Sequence, residues 1–440
     1  MLTSLTLKDF KGFREAKIAL GPLSLVIGAN ASGKSNLRDA LRFVHGISRG
    51  YNVAEVIGEK YGEGGYREWS GLRGGAREAC RGGTGTFELI LEFKVPKSPA
   101  YQVPYKYAIS VEISQSTSAP HVRRESLYRH GNLVFDSHPS SDPPTQGDPF
   151  HISVRLPAGG AYRKMGPKVV AMAHQPVLTQ IVELARQQKV QGRVRQEIED
   201  TLREFESMRF VDFVPDAMRR PSLPGQIVLS DQGENLSSVL EGICSDTRTK
   251  EVLRSWIQEL TPMDVVDFEF VADPQGKILV YLVEKSGRRI SAYSASDGTL
   301  RFLGILAAFL GPKPARFYFI EEIDNGIHPA RLYLLMNLLE SRTTGGELQV
   351  FMTTHSPQLL RLLKPPAMPY ASLTYRVEGV AETRIKSLPD IPHLCEVLET
   401  SDIARLYEGG WMEQAMFFEE GEPEPFELDA VSEDFENHPA

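Results

Sequence analysis

The sequence predicts an α/β fold whose core is split around a long insertion, and three observations predict it. The apolar run Leu23-Ser-Leu-Val-Ile ends in the glycine loop Gly28-Ala-Asn-Ala-Ser-Gly-Lys-Ser and is followed by a helical pattern. Much later, Phe317-Tyr-Phe-Ile ends in two adjacent carboxylates, Glu321 and Glu322. A third apolar run, Gln349-Val-Phe-Met-Thr, leads into Thr354-His355-Ser-Pro.

The flanking elements follow in order. Leu5–Phe10 and Ala16–Leu20 alternate apolar and polar residues and read as strands. Behind the glycine loop, Leu37, Ala40, Leu41 and Val44 form one apolar stripe at i, i+3, i+4 and i+7. Residues 58–85 are rich in glycine and are expected to be a mobile loop. Strands resume at Thr86–Phe93. From 97 to about 177, short strand signals mix with the Pro/Ser/Asp-rich stretch Ser137–Pro149, as in an inserted subdomain. Val177–Met208 and Glu251–Leu260 read as helical, without the sustained heptads of a coiled-coil arm. Strands at 265–271 and 278–283 and an apolar helix at 300–310 precede the carboxylate strand. The expected division is 1–96 as the N-terminal lobe, 97–250 as an inserted α+β subdomain with a helical region, and 251–360 as the C-terminal lobe. A hairpin and helical extension at 361–416 and a short acidic C-terminal tail at 417–440 complete it.

A chain of 440 residues exceeds what one core usually supports. It has no run of 18 apolar residues and no signal-peptide pattern at its start, so a cytoplasmic protein without a membrane span is expected. Cys80, Cys244 and Cys395 lie far apart, which points away from a disulfide framework or a zinc site. Residues 406–440 hold eleven Asp and Glu and no Lys or Arg, so the rest of the chain is mildly basic although the whole carries −8. Basic clusters at Arg73/Arg77/Arg81, Arg123-Arg124, Arg186 to Arg203 and Arg219-Arg220 read first as solvated faces, with DNA as a partner they would allow.

Gly28 to Ser35 fits GxxxxGK[ST] and lies between an apolar strand and an amphipathic helix, the setting in which this loop cradles phosphates. Gly28 and Gly33 let the backbone curl so that N–H groups across Asn30, Ala31, Ser32 and Asn36 and the helix N-terminus face an anion. Lys34 reaches the β/γ oxygens and Ser35 ligates Mg²⁺, so ATP and Mg²⁺ are the expected ligands. At the second strand end, Glu321 is assigned to the metal and Glu322 to the attacking water. His355 is placed to hydrogen-bond the γ-phosphate. Ser294-Ala-Ser-Asp-Gly-Thr-Leu-Arg opens the apolar helix with a capping hydroxyl; alone, Ser296 reads as an ordinary N-cap.

These elements in this order resemble the ABC-type ATPase heads of the SMC and RecF group, most closely the RecF-like AAA_21/AAA_15 ATPases, which are often encoded in phage-defence cassettes. The resemblance rests on Leu5-Thr-Leu-Lys-Asp-Phe-Lys-Gly-Phe, the P-loop with Ser35-Asn-Leu, Gly233-Glu-Asn-Leu, Ser296-Asp-Gly-Thr-Leu-Arg, Glu322-Ile-Asp-Asn-Gly-Ile-His-Pro and Thr354-His-Ser-Pro. It implies an ATPase that dimerises around ATP, or forms a higher homo-oligomer. Ser296 and Gly298 would then cap the γ-phosphate bound by the opposite subunit, with Asp324 in the loop linking the two sites. Two positions depart from the pattern. Glu321 stands where Asp is usual, and neither Gln102 nor Gln115 has a neighbourhood that marks a Q-loop. Val377-Glu-Gly379 looks like the first motif of a Toprim nuclease, but no DxD follows, and it reads as a strand and turn paired with Thr383–Lys386. The expectation is an ATPase that senses or scaffolds for a separately encoded effector in anti-phage defence; the alternative is a DNA-binding ATPase in repair or recombination.

Overall fold

The computed structural model describes residues 1–98, 101–113, 119–139, 151–157, 165–181, 192–261, 263–376 and 382–420. Residues 140–149 of the Ser137–Pro149 stretch, the Val377-Glu378-Gly379 motif and residues 421–440 of the acidic tail lie outside the described residues.

One fourteen-stranded sheet organises most of the described chain. Across it run Met165–Met172, His151–Pro157, Asn132–Pro139, Pro120–Arg129, Tyr101–Ile113, Thr86–Ser98, Leu2–Phe10 and Phe13–Ala19. Then come Thr383–Ser387, Ala371–Arg376, Leu23–Ile27, Gln349–Thr354, Phe317–Ile320 and Met208–Val211. The first eight pair antiparallel, so the sheet passes through residue 97 without a break. Ala371–Arg376 and the four strands after it are mutually parallel. Parallel strands in one sheet send their C-terminal ends to one edge, the usual place for a ligand crevice in an α/β fold. The register aligns Thr354 with Ile27 and Met352 with Ile320, which sets the glycine loop, His355 and the carboxylate pair on that edge.

Side chains of these strands alternate between two cores. Val26, Phe319 and Phe351 share a cluster with Leu37, Leu41 and Val44 of the helix Lys34–Ser48. Leu25, Ile27, Tyr318, Ile320 and Met352 share the other with Leu300 and Leu303 of the helix Asp297–Leu310 and Leu335 and Leu339 of the helix Pro329–Thr343. Burial on both faces explains why these strands read as largely apolar runs rather than as alternating ones, with only an occasional buried Ser24 or Gln349.

The glycine-rich stretch 58–85 is not the open loop expected. Lys60–Tyr61 pairs with Arg67–Trp69, and a short helix spans Gly75–Ala79. Trp69 is buried, with Nε1 donating to the Val56 carbonyl at 3.0 Å. At Gly71, φ is 66° and a Cβ would stand 1.5 Å from the Gly58 carbonyl oxygen, so glycine here permits backbone-on-backbone packing. The helical reading through Met208 also ends early: Gly192–Glu206 is helix, whereas Met208–Val211 pairs with the carboxylate strand. Arg376 pairs with Thr383, as expected for the C-terminal hairpin. Among the described residues no helix is long and apolar enough to cross a membrane.

Candidate nucleotide site

The glycine loop leaves Leu23–Ile27 and enters the helix at Lys34. Gly33 has φ 98°, and a Cβ there would meet Thr383 Cγ2 at 2.4 Å; at Gly28 one would meet Thr374 Oγ1 at 2.3 Å. Both glycines are therefore required by close approach as well as by curvature. Ser32 is buried, its hydroxyl 2.7 Å from that of Thr374, whereas Asn30 and Ala31 are exposed, Ala31 with φ 63°. The Asn36 amide donates to the Gly33 carbonyl and starts the helical ladder.

Lys34 is folded back onto the loop, with Nζ donating to the carbonyls of Gly28 at 2.6 Å and Ala29 at 2.8 Å. Burial pulls the pKa of its ammonium below the ordinary value. Glu322, Asp324 and Glu321 oppose that pull, so all three carboxylates act on the same charge. The ammonium is thus held by two carbonyl acceptors of the loop itself.

Glu322 occupies the left-handed region at φ 46°, a conformation that costs a non-glycine residue roughly 1–3 kcal/mol and clusters at functional sites. Its amide donates to Thr353 Oγ1 at 3.2 Å. The kink turns its carboxylate toward His355, whose Nδ1 lies 3.8 Å from Glu322 Oε1. Asp324 accepts from Thr354 Oγ1 at 2.7 Å, tying the two strand ends together. Glu321, 13 % exposed, meets Arg38 Nη1 at 3.0 Å and Arg73 Nη2 at 3.5 Å. Arg73 also donates to the Ser35 carbonyl at 2.7 Å and contacts Asp39 at 3.4 Å. Sequence reading had placed Arg73 on a solvated face. Only the fold carries it to Glu321, and no local pattern marks it.

Among the described residues no three His, Cys, Asp or Glu side chains gather to hold a metal ion. Ser35 and Glu321 nevertheless suit Mg²⁺, which binds through one or two carboxylates plus waters and phosphate oxygens rather than an all-protein cage.

Ser296 is the N-cap of Asp297–Leu310, accepting from the Thr299 amide at 3.2 Å. Gly298 sits against the turn after the carboxylates: a Cβ there would be 2.5 Å from the Gly326 carbonyl oxygen. Arg219 secures this helix start, contacting Asp297 at 2.5 Å and the Ala295 carbonyl at 3.1 Å. The structure thus brings Gly28–Asn36, Glu321, Glu322, Asp324 and His355 onto one edge. It seats Gly298 on the Gly326 turn, with Ser296 capping the same helix two residues earlier.

A glycine loop after one of the parallel strands, a carboxylate pair on the next strand but one and a capped helix packed on the following turn are the layout of a P-loop ATPase domain. The chain belongs to the AAA_21 family, described as "AAA domain, putative AbiEii toxin, Type IV TA system", which it matches over residues 23–144 and 185–361. It is 29% identical over 124 residues to an ATP/GTP phosphatase of Helicobacter pylori, a match covering 28% of this chain and 32% of that protein's length. The chain therefore spans about a third of that relative. Among solved structures it is similar to the SMC head domain of Thermotoga maritima, at 14% identity, TM-score 0.41 and coverage of 88% and 98% of the two chains. An SMC head bound to the C-terminal winged-helix domain of ScpA aligns at 15% identity, TM-score 0.44 and the same coverages.

Proposed function

We infer that the chain binds ATP with Mg²⁺, hydrolyses it to ADP and phosphate, and does so with one ATP shared between two copies. The observation that carries this reading is Glu322 turned toward His355, 3.8 Å away, on the edge where Lys34 waits on the loop carbonyls. In the loaded site Lys34 moves to the β/γ oxygens and the loop amides take the remaining phosphate charge. Ser35 and Glu321 would hold Mg²⁺, which when bound would supply charge neutralisation for the transferred group. Glu322 orients the attacking water and accepts its proton, while His355 hydrogen-bonds the γ-phosphate. By the resemblance to ABC-type heads, Ser296 and Gly298 serve the opposite chain's ATP; within their own chain the hydroxyl caps a helix and the glycine packs against the Gly326 turn. Asp324, tied to Thr354, links the two sites. Phosphate release measured on the wild type and on Glu322→Gln tests this: hydrolysis is expected in the first and its near-loss, with ATP still bound, in the second. Equal rates would remove Glu322 from the mechanism.

At the cellular level the reading is a cytoplasmic sensor or scaffold for a separately encoded effector in anti-phage defence, a role compatible with the toxin–antitoxin wording of the family's description. DNA binding in repair or recombination is the second reading. Several of the arginines that would serve it are engaged within the chain: Arg73 with Glu321, Arg81 with Asp9, Arg124 with Asp136 and Arg219 with Asp297. That favours the effector. Pulldown with and without ATP, beside DNA binding over a salt series, separates the two.

A further inference from the structure

Glu321, read above as the metal carboxylate, already has a guanidinium nitrogen on each of its oxygens: Arg38 on Oε2 at 3.0 Å and Arg73 on Oε1 at 3.5 Å. A carboxylate this sheltered requires cationic partners, because a charge removed from water without one is strongly unfavourable.

The two arginines are not equivalent. Arg38 is as buried as Glu321 itself, and Arg73 is 48 % exposed. The backbone of Arg73 is anchored while its side chain is shared. Lys11 Nζ donates to the Arg73 carbonyl at 2.6 Å and pairs with the buried Asp39 at 2.7 Å. The Arg73 guanidinium divides itself among the Ser35 carbonyl at 2.7 Å, Asp39 at 3.4 Å and Glu321 at 3.5 Å. The contact with Glu321 is the longest of the three, and losing it leaves the other two in place. Ser35, whose carbonyl the guanidinium grips, is also the residue whose hydroxyl would face the cation.

The geometry points to Arg73 as a place-holder for the metal. In the metal-free chain its charge rests on Glu321 Oε1; a divalent cation takes that oxygen, and the guanidinium withdraws onto Asp39 and the Ser35 carbonyl. Glu321 thus keeps a cationic partner in both states, and the cation binds more weakly than Glu321 and Ser35 alone would hold it. The inference rests on the reading of Glu321 as a metal ligand.

Mn²⁺ titrated into the full chain saturated with ADP, with free Mn²⁺ read by electron paramagnetic resonance, tests it without turnover. Arg73→Gln is expected to bind Mn²⁺ about 2–5-fold more tightly, the range for displacing a partly exposed ion pair. Arg73→Lys should stay near the wild type, and Glu321→Gln should weaken binding at least about tenfold, since loss of even an outer-shell partner costs roughly 10–100-fold. On the Glu321→Gln background, Arg73→Gln should change nothing further. In EDTA, Arg73→Gln should melt below the wild type, and the gap should close with Mn²⁺ and ADP. Unchanged or weaker Mn²⁺ binding by Arg73→Gln, alongside a weakened Glu321→Gln, overturns the place-holder and keeps Glu321 as ligand. Unchanged binding by Glu321→Gln overturns that reading first, and the place-holder with it.

Discussion

In the proposed mechanism Lys34 and Glu322 act on different parts of the same ligand, and their substitutions should separate. Lys34→Ala removes the buried cation on which three carboxylates act, and nucleotide binding should be lost in a fluorescent-nucleotide titration. Glu322→Gln keeps that cation and the fold of the turn, so affinity should persist while turnover falls by at least about 100-fold, as for loss of a general base. Glu125 provides a different residue-scale test, far from phosphate chemistry. It is fully buried and accepts from the Val177 amide at 2.5 Å and from the Leu178 amide and Tyr107 hydroxyl at 2.9 Å. Burial pushes its carboxyl up to about 7 despite these donors. Between its ordinary value near 4.5 and about 7 the folded chain keeps a proton that the unfolded chain releases, so this group's contribution falls as pH rises through that window. The full span is at most about 3 kcal/mol. Denaturant melts from pH 4.5 to 7 should therefore show a steeper loss of stability in the wild type than in Glu125→Gln. Identical slopes would mean that Glu125 titrates normally.

Among the elements, the helix Asp297–Leu310 and the turn after the carboxylate strand are fitted to each other at Gly298. Even one methyl there would stand 2.5 Å from the Gly326 carbonyl oxygen, and backbone cannot yield as a flexible side chain can. Gly298→Ala should shift the helix start against the turn, costing roughly 1–3 kcal/mol of stability. Turnover should fall more than nucleotide affinity, because the P-loop stands on other strands. Arg219→Ala, which frees Asp297 from its partner, should weaken the same docking by a smaller amount. Limited proteolysis across residues 292–298 together with thermal melts reads both; a Gly298→Ala protein that melts like the wild type would show that the two elements can slide past one another.

For the whole molecule, the shared-site reading makes a demand that no single chain can meet. Ser296→Arg should abolish turnover and ATP-dependent dimerisation, as measured by sedimentation, while leaving ATP binding intact. Mixing it with Lys34→Ala should restore one intact composite site per dimer and recover a fraction of wild-type activity. No recovery at any mixing ratio would count against a site shared between two copies. The helix Trp411–Glu420 takes in the first residues of the expected 417–440 tail, so trimming 421–440 asks a separate question: this acidic stretch contains Phe426 and Phe435, a pattern suited to docking on a basic or apolar partner. ATP hydrolysis should survive the truncation, whereas effector capture in pulldown should weaken and do so more at low salt, where such pairings are least screened. Equal capture by both forms would leave the stretch a solubiliser.

What the sequence determined by itself is what depends on neighbours along the chain. GxxxxGK[ST] after Leu23–Ile27, Glu321-Glu322 after Phe317–Ile320 and His355 after a third, mostly apolar run each announce a strand end, because a strand buried on both faces is predominantly apolar and gives way where charged or glycine-rich sequence begins. The N-cap at Ser296 was legible for the same reason: its partner, the Thr299 amide, is three residues away. Tertiary structure alone decided what depends on distant segments meeting. Arg73, within a glycine-rich stretch that read as open loop, reaches Glu321 only because Trp69 and Leu72 bury, and because Lys11 in the first turn holds its carbonyl. The requirement for glycine at Gly33 comes from Thr383, far along the chain, as well as from the loop's own curvature. The insertion joins its strands to those of the first lobe because edge pairing follows backbone geometry, and short-range pattern carries no record of which edge a strand will find.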